Sequence, residues 1–265
     1  MSITISTSDR FADKAAIVTG GGGAIGSATA RKLASQGALL IVVDVDADAA
    51  QKTVDGIVAE GGTAFTRVAD VSDPEQVKGY VDFALQKFGK IDILFNNAAI
   101  NGTMVPLVDY PLDVWRKVVA VNLDGVFYGL HFTLPHMIEQ GSGNIVNTAS
   151  VAGIIGHAEH GAYGATKHAV VGLTRIAAAE VAGLGVRVNT LAPGPVNAPM
   201  MHATEKMQTP DDPMRYRRKV LSNIPAGRYA EIDEIASAAC WLMSSESEYV
   251  HGIVLPVEGA FTSSI

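Results

Sequence analysis

Short apolar runs alternate with longer stretches of helical periodicity along the whole chain. The runs Ala15–Thr19, Leu39–Val43, Ala64–Val68, Ile91–Phe95, Asn144–Ala149, Val186–Leu191 and Ile253–Val257 are predicted strands. Several are continuously apolar rather than alternating, the pattern of strands covered on both faces. Between them, Ser27–Gln36 and Pro74–Phe88 carry apolar residues at helical spacing, and Gly37 and Gly89 stand where a helix stop is expected. Such alternation predicts an α/β chain: a doubly wound parallel sheet of about seven strands with helices on both faces. The one interruption is 197–222, rich in Met, Pro and charge. No repeat or low-complexity linker divides the chain, so a single domain over 1–265 is expected.

Composition narrows the function classes. The residues are 48% hydrophobic, yet the longest apolar stretches, such as Ala38–Val43, are too short for a bilayer core of about 30 Å. The start, MSITISTSDRFADK, lacks the basic and apolar segments of a secretory signal. The single cysteine, Cys240, cannot form an intrachain disulfide, and its setting in AACWLM predicts a packing role. These features imply a soluble, cytoplasmic protein with no membrane partner. With 20 Lys and Arg against 27 Asp and Glu, the formal charge of -7 argues against nucleic acid as a partner. The densest basic stretch, Arg215, Arg217, Arg218 and Lys219, reads as a solvated helix face.

Directly after the first predicted strand, TGGGGAIG (Thr19–Gly26) runs into a helical stretch. Gly21, Gly23 and Gly26 satisfy G-x-G-x-x-G. Glycines let a backbone turn tightly against a pyrophosphate, whose charge the helix N-terminus meets. Gly20, Gly22, Gly23, Ile25 and Gly26 are the candidate cofactor contacts. Asp44 ends the second strand, eighteen residues after Gly26. A carboxylate there accepts hydrogen bonds from adenine-ribose hydroxyls and repels a 2′-phosphate, which favours NAD over NADP. Val45 and Gly23 agree, since neither offers a phosphate a cation. Asp46 reads as the N-cap of ADAAQKTV.

Candidate chemistry lies in AYGATK. Tyr163 and Lys167 are four residues apart and share a helix face, and Ser150 precedes the tyrosine by thirteen residues. A cation beside a phenol favours phenolate and suits the pair to proton transfer at an alcohol or ketone oxygen. Ser150 lacks the G-x-S-x-G elbow of a hydrolase. His157 and His160 lie in a loop without the carboxylates or cysteines a metal site needs, so no metal is expected.

With these residues assembled, the chain resembles the short-chain dehydrogenase/reductase superfamily in its NAD-preferring single-domain form, from about Lys14 to the C-terminus. The turn after the first strand, Asp70-Val71, NNAA at Asn96–Ala99, VNL around Asn122, then Ser150, Tyr163 and Lys167 follow in the family's order. The resemblance implies a Rossmann-type fold and reversible hydride transfer between NAD and a secondary alcohol. Tyr163 would be the acid–base, Lys167 would lower its pKa and bind the nicotinamide ribose, Ser150 would orient the substrate oxygen, and Asn122 would hold a water leading to solvent. Asp70 and Val71 would border the adenine, Asn97 and Ala98 the adenosine ribose, and Pro193 and Val196 the carboxamide. Asp70 also reads as the start of the turn VSDPEQ, and Asn97 as a tie between strands.

Three positions depart from the family pattern. Ala24 and Ala99 replace glycines, harmlessly if neither needs positive φ. Ala198 replaces a threonine, and Asn197 or Thr204 would substitute for the lost hydroxyl. The segment 197–222 fits a substrate lid, whose Met200, Met201, Met207 and Met214 would either adapt to an apolar substrate or pack on the body. His157 or Glu159 would read a polar substrate group. The resemblance also implies a homotetramer, through the helices over Asp113–Leu134 and Tyr163–Val181 and through the C-terminal region. Two rivals stay open: an NADPH-dependent 3-ketoacyl carrier-protein reductase, and a non-catalytic nicotinamide-binding scaffold or sensor.

Overall fold

The predicted apolar runs become seven strands: β1 (Ala15–Thr19), β2 (Leu39–Asp44), β3 (Thr63–Val68), β4 (Ile93–Asn96), β5 (Gly143–Thr148), β6 (Val186–Pro193) and β7 (Val254–Val257). The computed structural model describes residues 9–264. The first eight residues, which carry most of the segment read above for a signal, and Ile265 lie outside the described residues. All pairings are parallel, in the order β3-β2-β1-β4-β5-β6-β7. The connecting helices are α1 (Ala24–Ala34), α2 (Ala47–Ala59), α3 (Pro74–Phe88), α4 (Leu112–Val119), α5 (Gly125–Gln140), α6 (Gly161–Val181), α7 (Pro199–Gln208), α8 (Pro213–Leu221) and α9 (Ile232–Met243).

Register explains why the strands are apolar throughout. One layer across the sheet runs Ile41, Ile17, Leu94, Ile145 and Val188, and packs with residues of α3, α5 and α6. The next positions along, Val42, Val18, Phe95 and Val146, point the other way and pack with residues of α1, α2 and α9. Side chains alternate across a strand, so a sheet covered on both faces needs apolar residues at every position. Edge strand β3 is covered less, and its Val68 is exposed.

Local chemistry sets the helix ends. Asp46 accepts hydrogen bonds from the Asp48 and Ala49 amides and caps α2, and Asp73 caps α3 ahead of Pro74. Gly89 closes α3 with a left-handed φ of 73°. Helix α1 begins three residues before the expected Ser27, because Gly23 is an extended N-cap whose carbonyl accepts from the Ser27 amide. Strand β4 starts two residues late: Asp92 turns its carboxylate to the Ala15 amide, Lys14 and Lys90. The stretch expected as one helix over Asp113–Leu134 is α4 and α5 joined by a π-helical turn, Ala120–Asp124. Cys240 packs in the core, where burial pushes its thiol up to about 12.

The C-terminal third is clamped by one half-buried cation. Arg187 donates to the carbonyls of Leu242, Ser244, Ser247 and Val250, gathering the end of α9 and the approach to β7. Carbonyls at a helix C-terminus lack intrahelical donors and carry partial negative charge, so a guanidinium satisfies both needs. Arg187→Met is expected to lower stability by about 3 kcal/mol through the orphaned carbonyls. Urea unfolding of the variant beside the parent checks this, and a loss near zero defeats the clamp.

Candidate active site

A cavity of about 850 Å³ opens at the C-terminal ends of the strands, where the winding direction reverses between β1 and β4. Gly20, Gly22, Gly23, Ile25, Asp44, Asp70, Val71, Asn97 and Ala98 border it, and so do Ser150, Tyr163, Lys167, Pro193 and Val196. Two residues expected at the site stand behind its wall. Gly26 is buried where a Cβ would come within 2.0 Å of the Gly20 carbonyl oxygen, so its glycine is needed for close packing. Asn122 is fully buried on the π-turn, and its amide exchanges two hydrogen bonds with the Ile100 backbone, at 2.8 and 2.9 Å. Single π-turns within helices recur at functional sites.

The glycine turn is shaped by close approaches. Gly20 has a φ of 62°, and a Cβ there would sit 2.9 Å from the Ala98 Cα. Asp44 holds the turn from the side: its Oδ2 accepts from the Gly22 amide at 2.9 Å and its Oδ1 from the Asp46 amide at 3.1 Å. This leaves a carboxylate at the cavity edge beside bare backbone, a cradle that fits the ribose and pyrophosphate of a dinucleotide. Asp70 does start the next turn, accepting from the amide and hydroxyl of Ser72, and Asn97 does tie strands, donating to the Thr19 carbonyl; both also border the cavity. Among the described non-glycine residues, positive φ occurs at Asp13, Glu159 and Ala260. Ala24 and Ala99 therefore need no glycine.

At the other end, Ser150 leaves β5 extended, and its Oγ accepts from the Ala152 amide at 3.2 Å and lies 3.5 Å from the Pro193 carbonyl oxygen. Gly153 lets this loop descend onto α6: a Cβ there would come 2.6 Å from the Lys167 carbonyl oxygen. Tyr163 hydrogen-bonds Ser150. Burial pushes its phenol above the ordinary range, and the Ser150 bond pulls it partly back. Lys167 Nζ donates to the Thr148 carbonyl at 2.7 Å and lies 5.6 Å from the Tyr163 ring centroid. Burial lowers this ammonium to about 7. The spacing thus joins the three groups, but the chain's own burial holds tyrosine and lysine toward their neutral forms, where spacing alone suggested a strong cation beside a phenolate.

Toward α7 and α8 the wall changes character. Met200 and Met201 line the cavity, whereas Met207 and Met214 do not. Of the two expected substitutes for a threonine at Ala198, Asn197 turns away to Glu231 and His202, while Thr204 lines the cavity with its hydroxyl already accepting from Asn101 at 2.9 Å. His157 faces the cavity, stacked on Phe261 with centroids 5.7 Å apart. Burial and then the neighbouring His160 lower its pKa, so it is neutral at pH 7. Glu159 bonds Gln208 instead.

Sequence reasoning missed Asn101, Tyr216 and Phe261, which also line the wall. Asn101 follows the predicted NNAA segment and Tyr216 lies within the expected 197–222 segment, but none of the three carries a motif of its own, and Phe261 arrives from the far end of the chain. Thr148 was missed too; its hydroxyl is buried at the wall and, among the described residues, has no hydrogen-bond partner.

Comparison with known proteins agrees with this geometry. A family model described as enoyl-(acyl carrier protein) reductase matches residues 22–262. The chain is 41% identical over 261 residues to levodione reductase of Leifsonia aquatica, covering 98% of each. It is 39% identical over 256 residues to cyclohexanol dehydrogenase of Acinetobacter sp. strain SE19, covering 97% of this chain and 98% of that protein. Among solved structures, NAD+-bound xylitol dehydrogenase superposes with a TM-score of 0.92 at 36% identity, over 94% of this chain and 99% of that one. With the glycine turn, Asp44, Ser150, Tyr163 and Lys167 disposed around one cavity, the chain belongs to the short-chain dehydrogenase/reductase superfamily.

Proposed function

We propose that this chain is an NAD-dependent oxidoreductase that interconverts a secondary alcohol and its ketone, with Tyr163 as general acid–base. The observation that carries this reading is the meeting of Ser150, Tyr163 and Lys167 in the cavity that Asp44 and the glycine turn also border. When bound, NAD supplies the nicotinamide carbon that accepts or returns a hydride. Gly20, Gly22, Gly23, Ile25 and Asp44 hold the pyrophosphate and ribose side, with Gly26 packed behind them. Asp70, Val71, Asn97 and Ala98 flank the adenosine, and Pro193 and Val196 the nicotinamide. Tyr163 moves the proton at the substrate oxygen while Ser150 orients that oxygen. Lys167 secures the ribose, and Asn122 positions the backbone near Ile100 along the proton's route.

The wall near Tyr163 is apolar at Met200, Met201 and Phe261, with the neutral His157 as a polar reader. This suits a ring or compact aliphatic secondary alcohol that carries a second uncharged oxygen. Asp44 weighs against the NADPH-dependent ketoacyl reductase rival. The whole chain acts as one domain, with α7 and α8 as the substrate lid. A cytoplasmic homotetramer belongs to the same reading, supported by the outward apolar side chains Phe127 and Ile176 on α5 and α6. Light scattering at working concentration is expected to give four times the chain mass; a monomer defeats the assembly.

Formation of reduced nicotinamide with a panel of cyclic and acyclic secondary alcohols, run with NAD and NADP in parallel, tests the reaction. Turnover is expected with NAD, and Tyr163→Phe is expected to lower it about a thousandfold. A Tyr163→Phe variant as active as the parent rejects the acid–base assignment. If the parent binds NADH but turns over no alcohol or ketone, the scaffold reading takes its place.

Direction should depend on pH. A phenol raised above its ordinary range is protonated at neutral pH, ready to donate to a ketone; it must lose that proton to act as base on an alcohol. Alcohol oxidation is therefore expected to accelerate as pH rises from about 7 to 10, and ketone reduction to slow over the same window. Parallel pH–rate profiles with a deuterated alcohol as control decide this, and an oxidation rate independent of pH, with chemistry rate-limiting, refutes it.

A further inference from the structure

Helices α7 and α8 border the substrate end of the cavity with little apolar anchorage. Among the described residues, the fully buried ones of α7 are Thr204 and Glu205, and α8 has none. A carboxylate 4% exposed is an expensive anchor for a surface helix. Its neighbours answer it by charge rather than by a close hydrogen bond, since Glu205 Oε1 has no hydrogen-bond partner among the described residues. The Arg217 guanidinium of α8 reaches Glu205 Oε1 at 3.8 Å and lies 4.7 Å over the ring of Tyr229. Tyr229 is buried in the segment after α8, next to Ala230, which bridges to Val196 at the cavity wall. Burial, and then the Glu205 carboxylate beside it, push the Tyr229 phenol above its ordinary range. One carboxylate thus touches α7, α8 and the body.

The neighbours of this cluster in sequence give it a consequence. Thr204 precedes Glu205 and Tyr216 precedes Arg217, and both Thr204 and Tyr216 line the cavity. An apolar side chain of similar size would pack at lower desolvation cost, but it would not select one register of α7 against α8; a buried charge with one counter-charge does. We propose that Glu205 is a positioning residue for substrate: held between Arg217 and Tyr229, its carboxylate fixes α7 against α8 so that Thr204 and Tyr216 face the cavity. The proposal rests on the reading of α7 and α8 as the lid.

The test uses the full-length enzyme as parent, Glu205→Gln, Arg217→Met and the double variant, with cyclohexanol as the alcohol. Glu205→Gln is expected to raise KM for cyclohexanol about tenfold while kcat stays within about twofold, the signature of lost uniform binding. NADH affinity, read by its fluorescence, should not change. Trypsin cleavage at Lys206, Arg218 and Lys219 should quicken, while the unfolding midpoint stays near the parent's. The double variant should be no worse than the worse single, since both remove one interaction. An unchanged KM, or kcat, NADH affinity and midpoint falling together, overturns the proposal, the second because it marks a merely structural residue. Should Glu205→Gln fail to fold, Tyr229→Phe must show the same KM shift or the proposal falls. If the parent oxidises no alcohol, the functional reading fails by itself, and the cleavage rate of folded Glu205→Gln still decides whether the carboxylate holds the lid.

Discussion

The site depends on one close approach, between the turn after β1 and the segment after β4. Thr19, buried at the end of β1, accepts from the amides of Asn97 and Ala98 at 2.9 and 3.2 Å, and the Asn97 side chain donates back to the Thr19 carbonyl at 3.1 Å. These bonds close the sheet where its winding reverses, and only a residue without Cβ fits at Gly20 between them. The same segment continues to Ile100, whose backbone Asn122 grips from the π-turn. Asn122 in turn reaches Thr166, the residue before Lys167, at 3.5 Å. Hydrogen bonds and the short stretch of backbone from Ala98 to Ile100 therefore link the glycine turn to the helix that carries Tyr163 and Lys167. Such a linkage fixes the two ends relative to one another, and hydride transfer demands precise placement.

Helices α7 and α8 are attached on a different principle. The body buries apolar layers on both sheet faces, whereas α7 and α8 are tied by discrete polar contacts: Asn101 to Thr204, Gln208 to Glu159, and Glu205 to Arg217. Hydrophobic contact is non-directional and adds over area, while a few polar contacts are separable and break one at a time. The small cluster of Val151, Ile224, Tyr229 and Phe261, with Met201, Val220 and Leu221 against it, is the apolar seat of these two helices.

What the sequence revealed and what it hid follow from the range of the forces involved. Strand positions were legible because a doubly covered sheet writes apolar residues at consecutive positions, as in Leu40–Val43. Tyr163 and Lys167 were legible because helical geometry places residues four apart side by side whatever the rest of the chain does. Asp44 was legible because a strand end before a helix is a fixed address. The start of β4 was missed because Asp92 looks like a surface charge until its bond to the Ala15 amide is seen. Glu205 was hidden for a similar reason: within PMMHATEKMQ it reads as one more solvated helix residue, and only the arrival of α8 buries it. Phe261 belongs to the cavity wall through a fold-back that no local pattern records.

Lys167 shows why such a site must sit on a well-packed frame. Its folded-state pKa of about 7 lies below the ordinary 10.5, so between those values the unfolded chain binds a proton that the folded chain does not. The cost of burying the charged form is thus fully present below about pH 7 and fades as pH rises toward 10.5; at 1.36 kcal/mol per unit it is on the order of 5 kcal/mol. That is comparable to the net stability of many domains. A single carbonyl, that of Thr148, receives the ammonium at 2.7 Å and does not offset so large a penalty. The difference is borne by the apolar layers on either side of β1, β4 and β5, whose core residues are almost wholly buried. In the same dry surroundings a cation interacts with an anion or a hydroxyl far more strongly than it would in water. The stability lost at Lys167 and the strength of any charge interaction there have one cause, the exclusion of water.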